Sequence, residues 1–175
     1  MWDAGAGEMP RRGRINERMT TAETMRFGGR PRQMGQIEVE IIVSNALDRE
    51  RQRRGEIGLA EVRSQRIQDV LVDTSAVLLC LPADVIARLG LPLEREVHVE
   101  TAAGPLRAGL FSQLHLEISG RSGLFECLQT PAGTSALLGA VPMEVLGIEP
   151  EVSTRSIRLL PEGPGRSYMR AYGIG

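Results

Sequence analysis

From Gln36 the chain alternates between apolar and polar positions. Ile37, Val39, Ile41 and Val43 are set against Gln36, Glu38 and Glu40, which predicts a half-buried strand over residues 36–43 and the start of the folded domain. Residues 44–54 are polar and charge-dense, with Asn45 and Asp48 as turn formers. Residues 55–66 are mixed, with room for one helical turn at 59–62, and the whole segment 44–66 reads as a long loop. A second strand is predicted over 67–72. The polar tripeptide Asp73-Thr74-Ser75 follows, and then an unbroken apolar run over 76–81 that predicts a buried strand. Pro82 opens a short helix with Val85, Ile86 and Leu89 on one face and Gly90 as its stop.

Alternation resumes at 97–101, is interrupted by the turn residues Ala102, Ala103, Gly104 and Pro105, and continues over 106–118, which predicts a long hairpin. A turn over 120–123 and a strand over 124–128 come next. Residues 131–134 form a loop, 136–138 a short apolar strand, Gly139 a break, 142–146 a second short helix ended by Gly147, and 157–160 a last strand. The pattern thus predicts a mostly β domain with two short helices over residues 36–160. Residues 1–35 hold six Gly and seven Arg with no sustained period, and are expected to be a disordered basic extension; Met19, Met25 and Met34 are alternative starts within it. Residues 161–175, rich in Gly and Pro, are expected to be a flexible tail.

Composition narrows the classes. Of 175 residues, 42% are hydrophobic but only 3% aromatic, so a core is available and must be built from Val, Leu, Ile and Ala. The net charge of −1 removes the broad positive field of nonspecific nucleic-acid binding, and no nucleic-acid partner is expected. The apolar run from Ala76 to Pro82 is far below the ~20 residues of a membrane span, and no apolar segment follows the basic N-terminus as in a secretion signal. Neither membrane association nor secretion is expected. Cys80 and Cys127 lie in apolar runs, where free buried thiols are the ordinary reading, and a reducing cytoplasm fits them.

The feature that departs from the pattern is Asp73-Thr74-Ser75, a carboxylate and hydroxyls set between the two most hydrophobic segments. An ionised carboxylate beside buried strands costs several kcal/mol unless it is paired or hydrogen-bonded. On spacing alone two readings stand side by side: an Asx or Ser/Thr turn that satisfies loose backbone donors, and a site.

The string Val70-Leu71-Val72-Asp73-Thr74-Ser75-Ala76 resembles the active-site segment of the retropepsin-like aspartic proteases, in which apolar residues precede Asp-Thr/Ser-Gly-Ala. A second landmark of that family, an apolar pair and Gly before a short helix, is matched by Leu137-Leu138-Gly139. Residues 81–92 resemble the Leu-Pro-rich helix of prokaryotic single-domain members. The resemblance spans about residues 35–160.

It implies a closed β barrel with one catalytic Asp per chain, and a homodimeric aspartic endopeptidase in which Asp73 of each chain meets at the two-fold axis. A water held between the two carboxylates attacks a peptide bond of a peptide or protein substrate, with no cofactor and no metal. Two like charges so close cannot both ionise, so the pair holds one proton and supplies both acid and base. By resemblance, Thr74 braces the pair across the dimer and Ala76 matches the usual small residue. Ser75 stands where the family carries Gly, and a hydroxymethyl group there crowds the axis or the substrate. The hairpin tip at Ala102, Ala103, Gly104 and Pro105 resembles a flap closing over substrate. Ala140 replaces the Arg that retroviral members carry after the Gly. Two alternatives stay open: a catalytically weak or inactive peptide-binding relative, and a structural dimerisation module in which Asp73 forms only a turn.

Other chemistry is less well supported by the residues. His98 and His115 are the only histidines and fall on predicted strands, with no ligand spacing around them. Neither cysteine has a histidine base nearby in sequence. Asp69 and Asp84 read as solvated or capping residues, and the arginines at 11, 12, 14 and 18 as part of a solvated arm.

Overall fold

The computed structural model describes residues 36–101 and 104–161. The expected extension over 1–35, the hairpin-tip residues Ala102 and Ala103, and the expected tail from 162 onward lie outside the described residues. The elements run β1 (Glu38–Asn45), α1 (Ala46–Arg53), a 3-10 turn (Leu59–Glu61), β2 (Ser64–Val72), β3 (Leu79–Pro82), α2 (Ala83–Leu89) and β4 (Leu93–Thr101). They continue with β5 (Gly104–Ile118), β6 (Arg121–Thr130), β7 (Leu137–Leu138), α3 (Ala140–Val145), β8 (Ile148–Glu151) and β9 (Ser156–Leu159).

The main sheet has the order β1-β2-β7-β3-β6-β5-β4, and β1 also pairs with β5. Six strands therefore close a barrel, and β4 hangs outside it on β5. Strand alternation fills the barrel as the sequence predicts. Ile41, Val43, Val70, Leu79, Leu81, Leu114, Leu116 and Leu138 are wholly buried, and α2 closes one end with Val85, Ile86 and Leu89.

β5 is 15 residues long and serves two partners. Its first half pairs with β4 from Leu93↔Phe111 to Thr101↔Gly104, and its second half closes the barrel against β1 from Asn45↔Leu114 to Ile42↔Glu117. Between the halves the register to β6 shifts after Phe111 and Gln113 has φ 60, a bulge that bends the strand. The β5–β6 hairpin turns in two residues, Ser119 and Gly120, at φ 49 and φ 81. Two successive positive φ values match the twist of the flanking strands, so β6 starts at Arg121, where a turn over 120–123 was predicted.

Several expectations are corrected. Residues 46–53 form α1 instead of loop. Asn45 caps it, its Oδ1 accepting from the N–H of Leu47 and Asp48, while its Nδ2 donates to the carbonyls of Leu89 and Gly90 at the end of α2. One buried side chain thereby joins the start of α1 to the end of α2. The predicted strand over 76–81 is shorter, because 76–78 belong to the Asp73 loop and only Leu79–Pro82 pair with neighbours. The helices number three among the described residues, not two, and β8 was not predicted at all. The single helical turn near 59–62, the helix after Pro82, the long hairpin and the short strand at Leu137–Leu138 are where the sequence puts them.

Candidate active site around Asp73

β7 lies between β2 and β3, strands that are neighbours in sequence but not in the sheet. It runs parallel to β2, with Leu71↔Leu137 and Val72↔Leu138, and antiparallel to β3, with Cys80↔Leu137. Since β2 and β3 cannot pair with each other, the chain joining them, residues 73–78, arches over the end of β7. Asp73 is the first residue of this arch. Its N–H donates to the carbonyl of Leu138 at 3.0 Å, so its backbone is fixed by the strand beneath.

The second half of the arch is fixed by α3. Helix N-termini leave N–H groups without intrahelical partners, and here two of them donate outward: Ala140 N–H to the carbonyl of Ala76 at 2.8 Å, and Val141 N–H to that of Val77 at 2.9 Å. Gly139 lies at the crossing. A Cβ there would sit 2.2 Å from the carbonyl oxygen of Leu78 and 2.7 Å from that of Ala76. Glycine is thus required by the closeness of two backbones. Its φ of −83 is accessible to any residue, so conformational freedom is not the reason.

The Asp73 side chain is half-buried, while Thr74 and Ser75 are exposed. Oδ1 of Asp73 accepts from the Ser75 N–H at 2.9 Å and from the Ser75 hydroxyl at 2.6 Å. The first of these bonds is the i to i+2 pattern of an Asx turn, so the turn and the candidate site are the same residues. The Ser75 hydroxyl bond holds the Asp73 carboxyl below its ordinary value of 3.8, reinforced by the N–H groups of Ser75 and Ala76 and opposed by partial burial. Those causes are all local to the loop, and no cation is among them. One carboxylate with neutral donors accepts protons and hydrogen bonds; it cannot be base and acid in the same step.

Of the predicted site residues, Asp73, Thr74, Ser75 and Ala76 are brought together with Leu137, Leu138 and Gly139 by the backbone bonds above. Gly104 and Pro105 open β5 at the far end of the β4–β5 hairpin, two strands from β3 in sheet order, with φ +111 at Gly104. Ala102 and Ala103 lie outside the described residues.

Sequence reading missed the apolar surface beside the loop. Val77 is 64% exposed, and Val141 and Val145 on α3 are 37% and 40% exposed. The apolar run over 76–81 predicts Val77 in a buried strand, because such a run carries no mark of which residues face water.

The remaining candidates are accounted for otherwise. Both cysteines are free and buried. Burial raises the Cys80 thiol, with the negative charge of Asp73 adding to it, and burial chiefly pushes Cys127 up to about 12. Protonated thiols of this kind are poor nucleophiles. His98 on β4 accepts from Arg107 at 3.4 Å, and His115 on β5 is half-buried with its pKa lowered by that burial. Asp84 accepts from Arg88 within α2 and from the Gly133 N–H. Among the described residues no cluster of three or more His, Cys, Asp or Glu could hold a metal ion, and no helix is long and apolar enough to cross a membrane. No protein-family model matches the chain, and no curated protein matches it either.

Proposed function

We propose that the chain is an aspartic endopeptidase of the retropepsin-like kind, acting as a homodimer in which Asp73 of two copies forms the catalytic pair on a peptide or protein substrate. The observation that carries the reading is the build of the Asp73 loop. A carboxylate with no cation acting on it among the described residues stands on an arch whose backbone is tied to β7 at Asp73 and to α3 at Ala76 and Val77. Fixing a group this firmly and leaving its charge unmatched suits catalysis, which gains from preorganised geometry.

The requirement for a second copy follows from proton bookkeeping. Peptide hydrolysis through an activated water needs one group to take the water's proton and another to give a proton to the leaving amine. Asp73 supplies one. The exposed Thr74, and the apolar Val77, Val141 and Val145 beside it, give that edge of the barrel a surface suited to a symmetric partner, which brings the second carboxylate. The β4–β5 hairpin, in which β4 is an edge strand among the described residues, is the element that covers an extended peptide.

The test is cleavage of an unfolded protein substrate across the acidic range. Wild type cleaves below neutral pH, and Asp73→Asn is inert while its dimer mass, by sedimentation, is unchanged. Equal inertness of the two proteins overturns the reading. A second reading, a weak or inactive peptide-binding relative, is favoured by the Ser75 hydroxyl on Oδ1, since an anion stabilised by more donors is a weaker base. It predicts peptide binding without cleavage by the wild type.

A further inference from the structure

We propose that the Ser75 hydroxyl is a positioning residue for the Asp73 carboxylate, fixing its orientation and setting how acidic the solution must be for the site to work. This rests on the reading of Asp73 as a catalytic carboxylate and adds a control element to it.

The geometry depends on the side-chain hydroxyl. The backbone N–H at position 75 reaches Oδ1 whatever the side chain, whereas the hydroxyl adds a second and shorter bond to the same oxygen, 2.6 Å against 2.9 Å. Glycine supplies only the first. The hydroxymethyl group is folded back on its own chain's carboxylate. Both donors favour the anion over the neutral acid, because they need an acceptor and the protonated form is the poorer one.

Partial burial opposes these donors, and no other group around Asp73 among the described residues supports them. Along β7 and the start of α3, Leu137 to Met143 carry no titratable side chain. β3 contributes Cys80, whose thiol is kept neutral by burial. On β2 the nearest acid is Asp69, and on β1 it is Glu38, opposite Leu71. The acids are of the sign that opposes ionisation, so the donors of residues 75 and 76 alone favour it among the described residues.

A carboxylate pair works between the pH at which it loses its first proton and the pH at which it loses its second, and those two steps belong to the pair. A donor that stabilises the anion in each copy moves both steps to lower pH. The bell of activity against pH therefore lies further to the acid side with Ser75 than without it, and removal of the hydroxyl moves both limbs to higher pH.

The experiment uses the full chain in four forms: wild type, Ser75→Ala, Ser75→Gly and Ser75→Thr. Carboxyl carbon shifts followed by NMR against pH give the titration of Asp73, assigned by the signal lost in Asp73→Asn, and cleavage of an unfolded substrate gives the activity profile. Ser75→Ala and Ser75→Gly are expected to titrate at higher pH than wild type and to carry their activity bell to higher pH, with Ser75→Thr restoring both. Coincident Asp73 titrations in wild type and Ser75→Ala overturn the proposal even where cleavage is strong. If no form cleaves at any pH, the catalytic reading falls, and the NMR titration still decides separately whether Ser75 controls the carboxylate.

Discussion

Asp48 lies in the first turn of α1, just past β1, and Asp73 lies just past β2, and the fold treats them in opposite ways. The Asp48 side chain is 6% exposed and is gripped by Arg63, whose Nε donates at 2.6 Å, its second terminal nitrogen at 2.9 Å and its backbone N–H at 3.2 Å. Asp73 is half-buried and, among the described residues, receives only neutral donors from its own loop. Both carboxyls lie below their ordinary value, Asp48 chiefly through the Arg63 side chain and Asp73 chiefly through the Ser75 hydroxyl. A carboxylate that ties one segment to another has its charge matched in place. A carboxylate whose charge is unmatched among the described residues, on a rigid loop, is available to a further group, and that contrast distinguishes a structural acid from a candidate catalytic one.

The contrast yields graded expectations. The largest effect is expected at the crossing that supports Asp73: Gly139→Ala forces a Cβ onto two carbonyl oxygens and should cost about 3 kcal/mol or more, together with loss of the site's geometry. A chemical denaturation curve that leaves its midpoint in place would show the arch to be loose. Next comes Asp48→Asn, which leaves Arg63 without its counter-charge. Because the Arg63 side chain is 47% exposed, water replaces part of the loss, and about 2 kcal/mol is expected.

The acid limb of stability sharpens the comparison further. A depressed folded-state pKa contributes stability at pH values above the ordinary 3.8, and that contribution disappears as pH falls through the folded-state value. Wild type should therefore lose stability as pH drops below about 4, and Asp48→Asn should lose less over the same interval. Parallel curves for the two proteins would remove Arg63–Asp48 as a cause. The smallest effect belongs to Asp73→Asn. The amide oxygen still accepts from Ser75, so stability at neutral pH should change by no more than about 0.5 kcal/mol while cleavage disappears.

How much of this was legible from sequence depended on what anchors each element. Strands whose alternate residues fill the barrel, such as those through Val39, Ile41 and Val43 or through Leu114, Leu116 and Ile118, carry their burial in their spacing. α1 does not. Its buried residue is Asp48, it has no apolar stripe, and what holds it is polar: the Asn45 cap and the Arg63 pair. Asn45 three residues before Asp48 was the available sign of a helix start. β8 was hidden by Gly147 and by Pro150, which is tolerated in a two-stranded sheet where one edge needs no partner. At the site, Asp73 and Gly139 were marked by residue type, and their pairing through β7 came from resemblance. The bond from Ser75 to Oδ1 was available as an Asx turn, whereas the exposure of Val77 depends on how the arch folds over β7 and α3, which no local pattern encodes.

The insertion of β7 between β2 and β3 also sets an order of events. Local hairpins such as β4–β5 and β5–β6 form from chain segments that meet early, but β7 must travel back across more than sixty residues to fill its slot, a contact whose loop-closure cost delays it. A nascent chain that has not yet reached Gly139 has its Asp73 segment synthesised but no floor beneath it. The carboxylate gains its final position only after nearly the whole barrel has been made, so the construction sequence itself keeps an incomplete chain from presenting a finished site.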